Sequence, residues 1–281
     1  MPFVAVVLVL AAAACHTTWN LIFKSQADRA GVSLGALVVG TLMLTPCLLV
    51  YSLRDVPLEA WALILLSGVF ETAYVVGLTA AYQAGDLSLV YPIARGTPAF
   101  IVLPLSITLL GEPVTVLGML GIALVVIGIF GAHLSAGDGT AAPPRAIVLA
   151  LLTGCTIAGY SLINKLGVTI VPVPLYAMLV FAVDAILLAV VLRARGTLDW
   201  PFARGRWKPA VTIGALMMGA YLGVLGAMAL APLAYVVAAR EVSIVMTTAA
   251  GVLLLGERAS WRRLAGAALI FAGLVVIALA R

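Results

Sequence analysis

Two arginines lie inside long apolar runs, where a permanent charge is costly. Arg95 belongs to the stretch LVYPIARGTPAFIVLPL, residues 89–105, and Arg240 belongs to AYVVAAREVSIV, residues 234–245. Counted at about 1.5 Å per residue along a helix, both lie deep inside a hydrocarbon layer about 30 Å thick. A charge at that depth usually faces a bundle interior or a water-filled cavity. Because a guanidinium donates two parallel hydrogen bonds to a carboxylate, these arginines predict a site for an anionic solute group.

Acidic and titratable residues in similar runs suggest other roles. Glu241 or Glu71 would be the partner of an arginine in a structural ion pair, and an arginine nearer a span end would extend to the interface. Glu71 lies about 13 positions into its span, and a carboxyl group at that depth is the best candidate for proton coupling. His16 is the second such candidate because histidine titrates near neutral pH, with a hydrogen-bonded structural role as its alternative. Asp184 has no evident partner in the sequence, and its role stays open.

Aromatic and amide side chains complete the predicted lining of a cavity. Tyr74 follows Glu71 by three residues, so the two share roughly one helix face. Rings with polar tips suit a pocket for amphipathic solutes, although the same residue types also anchor proteins at membrane interfaces. The predicted substrate-binding or cavity residues are Arg95, Tyr74, Trp19, Asn20, Glu71, His16, Tyr160, Arg240, Tyr221 and Tyr82.

Three prolines surround Arg95 at intervals of six residues: Pro92, Pro98 and Pro104. Each removes a backbone donor and disturbs the helix that contains it. The freed carbonyl groups must be met by neighbouring groups or by water. The prolines therefore predict a bent span whose irregular part faces the cavity, with ordinary membrane packing as the alternative.

The composition defines the elements that must position these residues. Of the 281 residues, 64% are hydrophobic and 10% are charged, whereas soluble domains have about 25% charged residues. The chain is therefore predicted to be an all-α polytopic membrane protein, since the runs do not alternate as barrel strands do. Ten runs are long enough to span a membrane, at 3–23, 33–53, 58–82, 86–109, 114–134, 146–165, 174–194, 208–230, 233–255 and 259–280.

The loop charges predict an orientation. Eleven Lys and Arg residues fall on the side of the loops that follow odd-numbered spans, and three fall on the other side, which includes both termini. By the positive-inside rule, the eleven face the cytoplasm and both termini face the periplasm. Basic residues in short loops between spans do not indicate a nucleic-acid partner.

The sequence repeats itself at an offset of 145 residues. LLGEPVTVLGMLGIALVVIG, residues 109–128, matches LLGERASWRRLAGAALIFAG, residues 254–273, and the same offset places Arg95 opposite Arg240. Each half holds five spans, and because five is odd the second half is inverted. Inverted repeats are typical of transporters with a central site between the halves and alternating access. A duplicated scaffold is the alternative. The predicted boundaries are 1–137 and 138–281.

Small residues and acidic residues recur at matching places in these repeats. Glu112 and Glu257, in the two LLGE segments, are predicted to brace helix junctions. The glycines predicted to allow close helix packing are Gly121, Gly128, Gly266 and Gly273.

With ten spans, inverted halves and LLGE closing the fourth span of each half, the chain resembles the EamA family of the drug/metabolite transporter superfamily, and within it the YddG-type amino-acid exporters. The resemblance implies an exporter of amino acids or related metabolites in the bacterial inner membrane. Because both inverted halves lie in one chain, a monomer is predicted to form the whole pathway. The resemblance also implies a small-molecule solute and lipid as partners, without cofactor or metal. A drug, nucleotide-sugar or phosphorylated-metabolite carrier is the alternative. An intramembrane enzyme is disfavoured because HExxH and P-loop motifs are missing from the sequence.

Overall fold

A computed structural model describes residues 1–26, 28–85, 87–133, 143–198, 207–255 and 260–280. Within these ranges the chain is helical and has no strand. Two short 3-10 turns, Thr45–Leu49 and Leu53–Asp55, follow the second helix. The α-helices are α1 Phe3–Lys24, α2 Arg29–Leu44, α3 Leu58–Ala84, α4 Leu87–Thr108, α5 Val116–His133, α6 Pro144–Ile170, α7 Val173–Ala194, α8 Trp207–Leu230, α9 Leu233–Ala239, α10 Val242–Leu255 and α11 Trp261–Leu279.

The described helices supply ten membrane segments, as predicted. Nine segments are apolar and long enough to cross a bilayer, and the shorter apolar helix at Val116–Ala132 is the tenth. The two chain ends meet: the amino group of Met1 donates to the carbonyl oxygens of Ile277, Ala278 and Ala280 at 3.3, 3.3 and 2.7 Å. Because α1 begins where α11 ends, the number of crossings is even.

The predicted limits of two spans were wrong. The second span was expected at 33–53, but α2 begins at residue 29 because the Asp28 side chain accepts from the Gly31 amide at 3.0 Å and so caps the helix. This helix ends at residue 44, and Pro46 lies in the 3-10 turn that follows. The sixth span was expected to end at Lys165, but α6 continues to residue 170.

The ninth span is broken into two helices, whereas a single run over 233–255 was expected. The separating residues are Arg240 and Glu241. Its counterpart in the first half, α4, contains Pro92, Pro98 and Pro104 and is nevertheless assigned as one helix. The predicted bend of α4 stays a prediction.

The helices of one half pack against helices of the other half in a symmetric pattern. The first helix of each half packs against the third helix of the other: α1 against α8, and α6 against α3. The second helices, α2 and α7, also meet each other, and so do the last helices, α5 and α11. This arrangement is that of two repeats related by a pseudo-two-fold axis. The predicted boundary at residues 137 and 138 lies outside the described residues.

Glycines bring α5 and α11 into backbone contact. A Cβ atom added to Gly121 would lie 2.9 Å from the carbonyl oxygen of Gly273, and one added to Gly128 would lie 2.7 Å from that of Gly266. Each pair is reciprocal, since a Cβ atom on Gly266 or Gly273 would lie 2.6 Å from the partner's carbonyl oxygen. Any larger residue would push these helices apart.

Candidate functional site

A buried charged group joins the two halves. Arg95 projects from α4, and Glu241 lies in the break between α9 and α10. Arg95 Nε donates to Glu241 Oε2 over 3.0 Å, and Arg240 Nε lies 3.5 Å from Glu241 Oε1. The side chain of Glu241 is 1% exposed and that of each arginine is 11% exposed. Of the two acids considered as the partner of Arg95, the structure therefore places Glu241 there and not Glu71.

The helix break positions Glu241 between the arginines. The Glu241 amide donates to the Ala238 carbonyl at 3.1 Å, the Ser243 amide to the Arg240 carbonyl at 3.2 Å, and the Ile244 amide to the Glu241 carbonyl at 2.9 Å. Each of these bonds joins residues that are three positions apart, so the break is a tight 3-10 turn. Such a turn within a helix often marks a functional position. Adjacent residues of a regular α-helix do not face each other, and the turn lets Arg240 approach its neighbour. Because neither residue of the break is proline or glycine, sequence reasoning missed it.

Arg240 has two buried donors that form no hydrogen bond within the described chain, although its Nε lies 3.5 Å from Glu241 Oε1. Its Nε and Nη2 are shielded from solvent and have no hydrogen-bond partner among the described residues. Its guanidinium carbon lies 5.9 Å from the centre of the Tyr160 ring. Tyr160 meets Tyr74 edge to face, with the ring centres 6.2 Å apart. Buried donors without partners are costly, so this position would gain most from an anionic ligand.

Of the predicted residues of α1, His16 lies nearest this charged group, and Trp19 and Asn20 contact His16. His16 lies within electrostatic range of Arg95 and Arg240, and its ring meets that of Trp19 edge to face at 5.1 Å. The Asn20 amide donates to the His16 carbonyl at 2.7 Å, within the same helix.

Tyr82, near the end of α3, is 37% exposed and lies within electrostatic range of Arg95. Two other predicted residues lie elsewhere. Tyr221 and Glu71 belong to a second polar cluster, and Tyr160 lies within electrostatic range of both groups. That the ten residues line one cavity stays a prediction.

The second cluster lies between α3 of the first half and helices of the second half. Glu71 Oε1 accepts from the Tyr221 hydroxyl at 2.8 Å and from the Asn164 amide at 3.1 Å. The Ser67 hydroxyl lies 3.3 Å from Glu71 Oε1 and 2.6 Å from Asn164 Oδ1. The Tyr176 hydroxyl donates to Asn164 Oδ1 at 2.9 Å. Ser67 precedes Glu71 by four residues and so shares its helix face, which is a signal that the sequence contained.

Asp184 of α7 adds a second carboxyl group to this cluster. It is 6% exposed, it is a hydrogen-bonding neighbour of Glu71, and its Oδ1 atom has no hydrogen-bond partner among the described residues. The sequence left Asp184 without a role because its neighbours come from a different half. Within the described ranges, no group of three His, Cys, Asp or Glu side chains could hold a metal ion.

A separate ion pair joins the halves at one end of the bundle. Lys165 Nζ lies 2.8 Å from Glu112 Oε1 and also donates to the Met228 carbonyl at 2.6 Å. Glu112 Oε2 accepts from the Leu233 amide at 2.7 Å. Glu112 thus braces the junction of α8 and α9 in the other half as well as its own turn. Glu257, its counterpart, lies outside the described residues.

Ten membrane segments in two interlocked halves, with a charged group between them, define a polytopic membrane protein of the inverted-repeat type. The chain belongs to the EamA-like transporter family, whose model matches it twice, over residues 3–133 and 144–279. Members of this family, in the drug/metabolite transporter superfamily, are membrane transporters and not enzymes. The resemblance to the YddG type stays a prediction.

The fold is shared with a solved structure described as "Crystal structure of protein". That chain superposes with a TM-score of 0.80 at 18% sequence identity, over 98% of this chain and 96% of the other. A likeness at this identity concerns the fold alone. None of the curated proteins matches the chain.

Proposed function

We propose that the protein is a secondary transporter that exports amino acids or related carboxylate-bearing metabolites across the bacterial inner membrane by alternating access. The observation that carries this proposal is the pair of unsatisfied donors on Arg240, buried between the two halves. A carboxylate fits a guanidinium fork. The rings of Tyr160 and Tyr74 lie beside it and suit the apolar part of a solute.

The net charge of the group favours a single carboxylate. Arg95 and Arg240 are two cations, and Glu241 is one anion. One positive charge therefore remains for a single carboxylate group of the solute to pair with. A nucleotide sugar or another phosphorylated metabolite carries two or more negative charges, more than the single positive charge of the group can neutralise. A carrier of such solutes, or of drugs, is the alternative that the test must distinguish.

The arrangement of the halves supports alternating access. The charged group takes Arg95 from the first half and Arg240 with Glu241 from the second. The ion pair between Glu112 and Lys165 also crosses between halves, at one end of the bundle. Opening that end to admit or release a solute would require the pair to break.

The test is uptake of a labelled amino-acid panel into proteoliposomes, with Arg240→Ala and Arg240→Lys beside the parent protein. We expect saturable uptake that Arg240→Ala weakens roughly 10- to 100-fold, the equivalent of about 1.5–3 kcal/mol for hydrogen bonds to a charged group. Arg240→Lys should recover part of it, since lysine keeps the charge and loses the fork. Arg54→Ala is the matched control, because Arg54 lies exposed in a 3-10 turn.

Uptake by Arg240→Ala at the parent's rate would remove Arg240 from the solute site. Absence of amino-acid uptake, together with saturable uptake of a nucleotide sugar or a drug, would establish the alternative carrier.

A further inference from the structure

We propose that Glu71 and Asp184 form a proton-binding site in which the two carboxyl groups share one proton, with Asp184 as the donor to Glu71. The inference rests on the proposed transport function and gives it a driving ion. It assigns a role to Asp184.

The geometry brings the two acids together across the halves. Glu71 and Ser67 come from α3, while Asp184 comes from α7. Gly68 makes room for Asp184, because a Cβ atom at that position would lie 3.3 Å from Asp184 Oδ1. The two carboxyl groups lie within hydrogen-bonding range of each other. A hydrogen bond between two carboxyl groups needs a proton on one of them.

The surrounding groups decide which carboxyl group keeps the charge. The Tyr221 hydroxyl and the Asn164 amide both donate to Glu71 Oε1, which favours its ionised form. Asp184 has an oxygen without a hydrogen-bond partner in the described chain, so its neutral form is favoured. Two adjacent buried carboxylates cannot both ionise at low cost.

No described cation offsets this pair. Neither Glu71 nor Asp184 forms an ion pair with a Lys, Arg or His of the described residues. Among the described residues, the titratable groups that face the pair from the packed helices are Tyr160 of α6, Tyr176 of α7 and Tyr221 of α8. The cation beyond them is Arg240, whose guanidinium carbon lies 5.9 Å from the centre of the Tyr160 ring.

The location explains how such a site would couple to transport. Because one carboxyl group belongs to each half, a relative movement of the halves changes the distance between them. Separation would remove the shared hydrogen bond and release the proton, and return would take one up. One proton would then cross for each complete cycle.

The first experiment needs no solute. Infrared spectroscopy of the purified protein at neutral pH distinguishes the carbonyl stretch of a protonated carboxyl group from carboxylate bands. We expect the parent protein to show a protonated carboxyl band that is missing from the double variant Glu71→Gln with Asp184→Asn. Glu59→Gln, the same change at an exposed site on α3, should keep the band. If the double variant does not fold, Asp184→Asn replaces it.

The absence of the band from the parent protein, or its persistence in the double variant, would overturn the proposal, whatever the solute is.

The second experiment measures solute uptake into liposomes with an acidic interior and into liposomes without a gradient. We expect the gradient to increase uptake by the parent protein and to have no effect on Asp184→Asn. An equal increase in that variant, or a response of the parent to a sodium gradient alone, would contradict the coupling role. Loss of uptake by the parent protein under every gradient would instead count against the proposed function.

Discussion

Arg95 and Arg240 occupy matching positions in the two halves, yet they have different partners. Arg95 Nε donates to Glu241 over 3.0 Å, whereas two nitrogens of Arg240 have no hydrogen-bond partner in the described chain. A buried ion pair is costly to disrupt from one side because the remaining charge is left uncompensated. The same residue type is therefore expected to stabilise the fold at one position and to bind solute at the other.

We predict that Arg95→Ala destabilises the protein by about 3–5 kcal/mol, because Glu241 would lose its closest cation. The midpoint of thermal unfolding should fall by roughly 6–20 °C. Arg240→Ala should lower it much less, since the Arg95–Glu241 pair survives. The measurement is thermal unfolding of both variants in detergent. A larger loss for Arg240→Ala would contradict this division of roles.

At the scale of elements, the ninth span is interrupted at the two residues, Arg240 and Glu241, that it contributes to the charged group. The three prolines leave α4 assigned as one helix, whereas Arg240 and Glu241 separate α9 from α10. A proline removes one backbone bond of its own helix, and neighbouring turns can accommodate that loss. At the break, Glu241 binds Arg95 of the other half, which is a tertiary contact and not a local one.

We predict that the contact of α5 with α11 depends on Gly128. A Cβ atom there would lie 2.7 Å from the Gly266 carbonyl oxygen, so Gly128→Ala should cost about 1–3 kcal/mol. Gly131→Ala, on the same helix, is the control because a Cβ atom at Gly131 meets nothing within 4 Å. The measurement is thermal unfolding of both variants. Equal unfolding midpoints for Gly128→Ala and Gly131→Ala would show that α5 and α11 can move apart at Gly128 without loss of stability.

At the scale of the molecule, neither half is independent of the other. Helix α1 packs on α8 and α6 packs on α3, so each half supplies a surface that its partner needs. The charged group, the Glu71 cluster and the Glu112–Lys165 pair all cross between halves. A movement of one half against the other must therefore act on all three at once.

We predict that both termini face the periplasm, because the excess of Lys and Arg lies in loops on the opposite side. Alkaline phosphatase fused to the carboxyl terminus should be active, since it matures in the periplasm, and a green fluorescent protein fusion exported there should stay dark. A fusion after Leu255, on the other side, provides the control with the reverse pattern. A fluorescent carboxyl-terminal fusion would invert the assignment.

The sequence determined the features that depend on composition and periodicity. Apolar runs of membrane length predicted an all-helical protein with ten segments, and the repeated LLGE segments predicted two halves and the family. These properties are local, because every span must satisfy its own backbone in lipid. The mid-span arginines also stood out, since a charge in an apolar run needs no structure to be noticed.

The tertiary structure decided how the charges are paired. Glu241 lies beside Arg240 in the sequence but binds Arg95 more closely, 146 residues away. Asp184 and Glu71 become neighbours only because α7 packs on α3. Electrostatic and hydrogen-bond energies depend on distance and on exclusion of water, and both are set by the packing of helices that are remote in the chain. The sequence therefore identified the charged residues, and the fold determined which of them have buried polar atoms without a hydrogen-bond partner in the described chain.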